Sequence, residues 1–292
     1  MEKFKGVFTA LITPFKNGEV DYISLEKLVK FQIQKGISGF VVNGTTAESP
    51  ALSEAEVAEV FKKVKSWSAN LPLILGTGSN STSKTIENTR KAEELGADAV
   101  LVVVPYYNKP PQRGLEKHFK SVAESTKLPV ILYNVPGRTI TELKVDTIKK
   151  IAHTPNVIGI KEATGKMDLA ADIIKSVEKS FVMLSGDDIT YVDFLITGGH
   201  GVISVASHIL PEEFVTWTKL VKENKISEAK EGILKYSKFI DNLFMDANPI
   251  PVKKALQLMN IIESAECRLP LVELEESNSE LLKQEMKKVG LL

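Results

Sequence analysis

Short apolar runs alternate with longer amphipathic segments along the first 207 residues. The runs are GVFTALIT (6–13), GFVVN (39–43), LPLILGTG (71–78), ADAVLVVVP (97–105), LPVILYN (128–134), NVIGIKEA (156–163), FVMLSG (181–186) and GVISVAS (201–207). Rich in Val, Ile and Leu, they have the composition of strands buried on both faces. Between them, SLEKLVKFQIQKG, SEAEVAEVFKKVKSW and SKTIENTRKAEELG carry apolar residues at helical spacing on otherwise charged stretches. Ser24, Ser53 and Ser83 open these segments and are the expected N-caps, because a serine oxygen accepts the unpaired amides of a first helical turn. Gly36 and Gly96 fall where a left-handed C-terminal cap is wanted.

Eight such strand–helix units, over about the 250 residues that such an architecture needs, predict an α/β fold of the closed (β/α)8 TIM-barrel type. An open doubly wound sheet also alternates strands and helices, but no GxGxxG follows an early strand here. Beyond about residue 224 the β-rich runs stop. ISEAKEGILKYSKFIDNLF, PIPVKKALQLMNII and PLVELEESNSELLKQEMKKVG are all helically patterned. The expected organisation is a catalytic barrel over 1–224 and a small helical region over 225–292.

Composition narrows the function classes. The 292 residues are 43% hydrophobic and 25% charged, as in an ordinary soluble globular protein. Lys plus Arg balance Asp plus Glu at 37 each, so no bulk field draws in nucleic acid or an anionic membrane. One cysteine, Cys267, cannot form an internal disulfide. The N-terminal MEKFKGVFTALITPF is too short an apolar run to span a membrane and lacks the cleavage pattern of a secretory signal. The expected location is the cytoplasm.

In a barrel of this type the chemistry lies at the C-terminal ends of the strands. Those ends read Asn43–Ser49, Pro105–Asn108, Tyr133–Thr139 and Lys161–Gly165, with the last strand running on through Ile203. They hold threonines, tyrosines, Arg138 and Lys161, without a carboxylate cluster. His118, His153, His200 and His208 stand at no spacing typical of a metal site and are expected on the surface or on helix faces. The apolar Val157–Ile160 runs straight into Lys161. Water stripped from an amine favours its neutral form, which can attack a ketone to give a Schiff base, and the iminium then acidifies the neighbouring carbon. Alternatively, such a lysine leans into water or pairs with Glu162.

Schiff-base chemistry needs several proton transfers, and Tyr133, Tyr107 and Thr45 could relay them. Taken singly, Tyr133 could equally be a core aromatic, and Thr45 and Thr46 caps of the next helix. Arg138, after a Pro-Gly turn, presents a fork suited to a carboxylate, or a surface salt bridge. Gly198-Gly199-His200-Gly201 precedes the last strand and reads as a helix-ending turn rather than a phosphate loop.

The strings GTTAES, PYYNKP, YNVPGRT, GIKEATG and NPIPVKKAL occur in order on separate elements. Together they resemble the N-acetylneuraminate lyase / dihydrodipicolinate synthase family of class I aldolases, over nearly the whole chain, with the closer match to the dihydrodipicolinate synthases. The resemblance implies a cofactor-free, metal-free condensation of pyruvate with L-aspartate 4-semialdehyde to 4-hydroxy-tetrahydrodipicolinate, in lysine and diaminopimelate biosynthesis. It implies Lys161 as the imine-forming amine and Tyr133 as the central acid/base, linked through Thr45 to Tyr107. Thr46 would hold the pyruvate carboxylate, Ile203 would line the same pocket, and Arg138 would receive the semialdehyde carboxylate. It also implies a homotetramer built as a dimer of dimers, with Tyr107 crossing an interface.

The chain departs from the family pattern in places. Ala47 replaces the second glycine of GTTGES, which matters only if that backbone needs positive φ. Where lysine-inhibited members carry histidines and a glutamate, this chain has Glu54, Val57 and Lys84, though Ser49, Asn80 and Tyr106 remain. A cation at Lys84 repels the ammonium of bound lysine, so weak feedback inhibition is expected. A Schiff-base aldolase of sialic acid or another sugar acid is the alternative. Arg138 argues against it, because sugar-acid enzymes of this family generally lack that arginine. A non-catalytic binding barrel has no need of Lys161, Tyr133, Tyr107 and Thr45 together.

Overall fold

The computed structural model describes residues 1–292. Eight strands close into a parallel barrel: β1 Gly6–Ala10, β2 Gly39–Val42, β3 Leu73–Gly76, β4 Ala99–Val103, β5 Val130–Asn134, β6 Val157–Glu162, β7 Val182–Ser185 and β8 Gly201–Ser204. Each strand lies within one of the eight apolar runs. Helices lie between the strands, and beyond residue 224 only helices occur, at Ile226–Asn242, Ile250–Leu258 and Glu276–Lys288. No helix is long and apolar enough to cross a membrane.

The strands are buried over nearly their whole length, only Gly76 and Val103 at two strand ends being half-buried, because β-branched and aliphatic residues face both the barrel interior and the helices. The helices begin where short polar side chains can take up their free amides. Ser53 does so with a capping box, its hydroxyl accepting from the Glu56 amide while Glu56 reaches back. Two expected caps are corrected. The first helix starts at Tyr22 with Asp21 as its cap, accepting from the Ile23 and Ser24 amides. Ser24 lies within the first turn, where its hydroxyl accepts instead from the Glu263 amide at 3.1 Å. In Thr82–Leu95 the cap is Ser81, and Ser83 is already helical. Gly36 and Gly96 do take positive φ, +82° and +73°, where the helices end.

The chain divides into two compact units, Met1–Gly6 with Pro72–Ile203 and Val7–Leu71 with Ser204–Leu292. In the first, β3 to β8 pair in series, each described register being parallel. The Gly198–Gly201 segment is a turn, as expected. Gly198 has φ +111°, and the Gly199 amide returns to the Phe194 carbonyl at 2.9 Å. Gly201 packs so tightly on Gly6 that a Cβ would lie 2.1 Å from the Gly6 carbonyl oxygen.

In the second unit β1 pairs with β2, and a buried polar cluster ties β1 to the segment after β8. Thr9 Oγ1 donates to Gln32 Oε1 at 2.7 Å, and Gln32 Nε2 donates to the His208 carbonyl at 3.0 Å. His208 is fully buried, contrary to the surface or helix-face placement expected for it. Its Nε2 accepts the Ile12 amide at 3.1 Å and its Nδ1 donates to the Val205 carbonyl at 2.8 Å. Burial pulls its pKa down to about 4, so it is a neutral structural imidazole. His118 is also buried, on its helix face, bonded through Nδ1 to Thr82 Oγ1 at 2.9 Å and lowered to about 4 by burial.

Candidate active site

Lys161 and Tyr133 are register partners across β5 and β6. That pairing depends on one irregularity. Val130 faces Val157, but Ile131 faces Gly159, so one residue of β6 is skipped at the start of the pair. Without this bulge Tyr133 would stand opposite Ile160, because a one-residue slip turns every side chain to the other face. With it, the amine and the phenol share one face. Gly159 permits the close approach on the other side of β6, where a Cβ would meet the Val182 carbonyl oxygen at 2.3 Å.

Both side chains are secluded, Lys161 at 6% and Tyr133 at 7% exposure. Lys161 Nζ lies 4.3 Å from the centroid of the Tyr133 ring. The amine thus lies over the face of the phenol ring, whose quadrupole attracts a cation. Lys161 therefore neither leans into water nor pairs with Glu162. Strand alternation sends Glu162 to the opposite face, opposite Asn134 in register. There Asn134 Nδ2 donates to Glu162 Oε2 at 2.7 Å, the Thr164 amide donates to Oε1 at 2.8 Å, and Asn134 Oδ1 accepts the Leu143 amide at 2.9 Å. Burial pushes the Glu162 pKa up, against the pull of those hydrogen bonds. This second pair clamps the strands and the loops after them directly behind the reactive pair.

Gly186, one residue beyond β7, also shapes the site and was not among the expected site residues. A Cβ there would lie 2.7 Å from Lys161 Cε and 2.6 Å from Ala163 Cβ. The Gly186 amide donates to the Glu162 carbonyl at 2.7 Å. Its only signal in the sequence is a glycine at a strand end, which by itself cannot be told from a turn residue.

The other expected site residues of this unit are placed as follows. Ile203 is buried on β8 at 1% exposure. Arg138 is exposed on the short helix Pro136–Thr139, with no carboxylate paired to it, so the surface salt bridge does not form. The turn beneath is held by Thr139 Oγ1, which bonds the Val135 and Thr141 carbonyls at 3.1 and 2.8 Å. Tyr107 is 86% exposed with φ +74°, so its ring projects from the chain instead of packing within it. A large aromatic held outward on a left-handed residue is an unusual arrangement for an isolated chain.

Thr45 and Thr46 belong to the second unit, in the 3-10 turn Thr45–Ala47 after β2. They do not cap the next helix, since Ser53 does. Thr46 is 3% exposed, and its Oγ1 accepts from Asn248 Nδ2 at 3.0 Å. The left-handed residue of the turn is Glu48, with φ +57°, and not Ala47. Alanine in place of the family glycine is therefore unstrained. Glu48 bonds the fully buried Lys253 ammonium and accepts the Arg268 amide at 2.9 Å. Arg268 in turn grips Glu56 with two nitrogens, at 3.0 and 2.6 Å, which holds the Glu56 carboxyl down at about 2.

A buried amine beside a buried phenol, at the strand ends of a barrel, suits carbonyl capture followed by proton transfer. Comparison with known proteins points the same way. The profile of the dihydrodipicolinate synthetase family matches residues 3–289. The 4-hydroxy-tetrahydrodipicolinate synthase of Bdellovibrio bacteriovorus is 62% identical over 100% of both chains. The crystal structure of dihydrodipicolinate synthase from Thermotoga maritima superposes with a TM-score of 0.97 at 41% identity, covering 99% of this chain and 100% of that one. The chloride-inhibited dihydrodipicolinate synthase from Acinetobacter baumannii, solved with pyruvate, gives 0.96 at 41% identity over 99% of each chain.

Proposed function

The chain belongs to the dihydrodipicolinate synthetase family, and we propose that it condenses pyruvate with L-aspartate 4-semialdehyde through an imine on Lys161. The observation that carries this is the secluded Lys161–Tyr133 pair, in register and 4.3 Å apart from nitrogen to ring centre. The Lys161 amine adds to the ketone carbon of pyruvate, and the carbinolamine loses water to leave an iminium. Loss of a methyl proton gives the enamine, whose carbon attacks the aldehyde of the second substrate. The amine of that substrate then displaces Lys161 and closes the ring, which regenerates the enzyme. Each step moves a proton, and Tyr133 is the acid/base beside the amine.

We assign the remaining roles from the family resemblance. Thr45 passes protons on from Tyr133, Thr46 donates to the pyruvate carboxylate, Ile203 lines the pocket, and Arg138 receives the carboxylate of the semialdehyde. The exposed, outward-held Tyr107 and the unpaired Arg138 guanidinium support this reading, because each leaves a functional group uncommitted within its own chain. Tyr107 completes the relay from a neighbouring copy in a tetramer of tight dimers, and the reaction takes place in the cytoplasm.

A coupled assay with pyruvate and L-aspartate 4-semialdehyde, beside one with N-acetylneuraminate, tests the assignment. Turnover of the first pair alone is expected. Cleavage of N-acetylneuraminate with no condensation of the first pair overturns it.

A further inference from the structure

We infer that Asn248 is a positioning residue that sets the direction of the Thr46 hydroxyl and so commits that hydroxyl to donate to the keto-acid carboxylate. The inference rests on the reading above, in which pyruvate is captured and Thr46 holds its carboxylate. A threonine hydroxyl has one proton and two lone pairs and rotates to suit its neighbours. Here one lone pair is occupied by the Asn248 Nδ2 donor at 3.0 Å. An N–H aimed at the oxygen forbids the hydroxyl from donating back along that line, so its proton points elsewhere. A carboxylate only accepts, and it therefore needs that proton.

Two further observations belong to the same device. Asn248 is 7% exposed, and its Oδ1 is buried without a hydrogen-bond partner. A buried amide oxygen left unpaired opposes folding. The segment that carries Asn248 is also anchored to the far end of the same turn. Lys253, five residues on and fully buried, bonds the Glu48 carboxylate and the Glu266 carbonyl, the latter at 2.8 Å, and lies 4.3 Å over the Phe15 ring. Two residues of one C-terminal segment thereby hold two residues of the Thr45–Glu48 stretch, one through the Thr46 hydroxyl and one through the Glu48 side-chain carboxylate two residues on.

The test compares N248D and N248A, alone and with T46V, by pyruvate KM, kcat and thermal melting. Aspartate keeps the shape of asparagine but can only accept, so Thr46 donates to it and turns its proton away from the substrate. Alanine merely frees the hydroxyl. N248D is expected to raise pyruvate KM by about tenfold or more, N248A by about threefold, with kcat at saturating pyruvate little changed in both. In the T46V background neither change adds to the effect. A purely structural role predicts losses in melting temperature and kcat that run in step with the rise in KM and do not depend on Thr46. A pyruvate KM for N248D within about twofold of wild type overturns the inference, as does an undiminished N248D effect in T46V. Should N248D fail to fold, the N248A and T46V pair decides alone, and strictly additive effects on KM overturn it. Borohydride trapping of wild type with pyruvate separates the two layers. No adduct overturns the functional reading and this inference together, whereas an adduct with a flat N248D result overturns the inference only.

Discussion

Gly186→Ala places a methyl group where Lys161 now lies. The new Cβ would sit 2.7 Å from Lys161 Cε and 2.6 Å from Ala163 Cβ, against an ordinary carbon–carbon contact of about 3.5 Å. Something must move by roughly 0.8 Å. The Ala163 side chain has no rotamer to change, and the Gly186 backbone is tied to the Glu162 carbonyl at 2.7 Å. The flexible end of Lys161 must turn aside, and the 2.6 Å contact with Ala163 Cβ is relieved only by a shift of the backbone after β6 or β7, which displaces the amine further. Overpacking of this kind costs about 1–3 kcal/mol, and for a chain of this size that lowers Tm by only several degrees. The chemistry suffers more, because a reacting group displaced by about 1 Å loses on the order of 10²-fold in rate, or about 2.7 kcal/mol of barrier. The assay is single-turnover capture of pyruvate by borohydride, followed by intact mass, beside a thermal melt. A G186A protein that melts near wild type but captures pyruvate about 10²-fold more slowly is expected. Capture at the wild-type rate refutes the claim that glycine is needed there to place the amine.

Lys253→Met leaves the Glu48 carboxylate buried beside a neutral side chain, which should cost about 3–5 kcal/mol, whereas E48L/K253M should recover most of it; equal melting of the single and double variants contradicts this. His118 and His208, held near 4 by burial, bind a proton less readily folded than unfolded, so each contributes stability that is lost as pH falls from about 6.5 toward 4, up to roughly 3 kcal/mol apiece. Their imidazole resonances should stay at the neutral position down to about pH 5, and a midpoint near 6.5 for either refutes the assignment. Lys84, half-buried and bonded to Glu87 at 3.2 Å, stands where the family resemblance leads one to expect a carboxylate in lysine-inhibited members. Added L-lysine should inhibit weakly or not at all, and half-inhibition at sub-millimolar lysine contradicts that.

All eight barrel strands were legible from apolar runs, because a strand buried on both faces is apolar along most of its length, its few polar residues such as Asn134, Lys161 and Ser185 lying at the C-terminal end. The ends were less so. The runs 6–13 and 97–105 continue beyond Ala10 and Val103, since apolar residues also line the loops that leave the barrel. Lys161 stood out because a charge directly follows a buried run, but its partner was set by a bulge in β6 that no periodicity reveals. Gly186 and Asn248 carry no chemistry that composition would mark. Their roles come from contacts across long stretches of sequence, Asn248 lying 202 residues from Thr46. Asp21 displaced Ser24 as a cap because the helix starts earlier than its apolar pattern does. Tyr107, 86% exposed, does not pack within the chain, so its role rests on the family resemblance alone.

Everything proposed for this site requires that Lys161, and no other of the chain's lysines, forms the covalent link to the keto acid. Incubation of the wild-type protein with pyruvate and borohydride, then peptide mapping by mass spectrometry, measures that directly. One 1-carboxyethyl group per chain, from the reduced pyruvate imine, on the peptide bearing Lys161 and absent from K161A, is the predicted result. An unmodified Lys161 peptide, or an adduct that persists in K161A, contradicts the account.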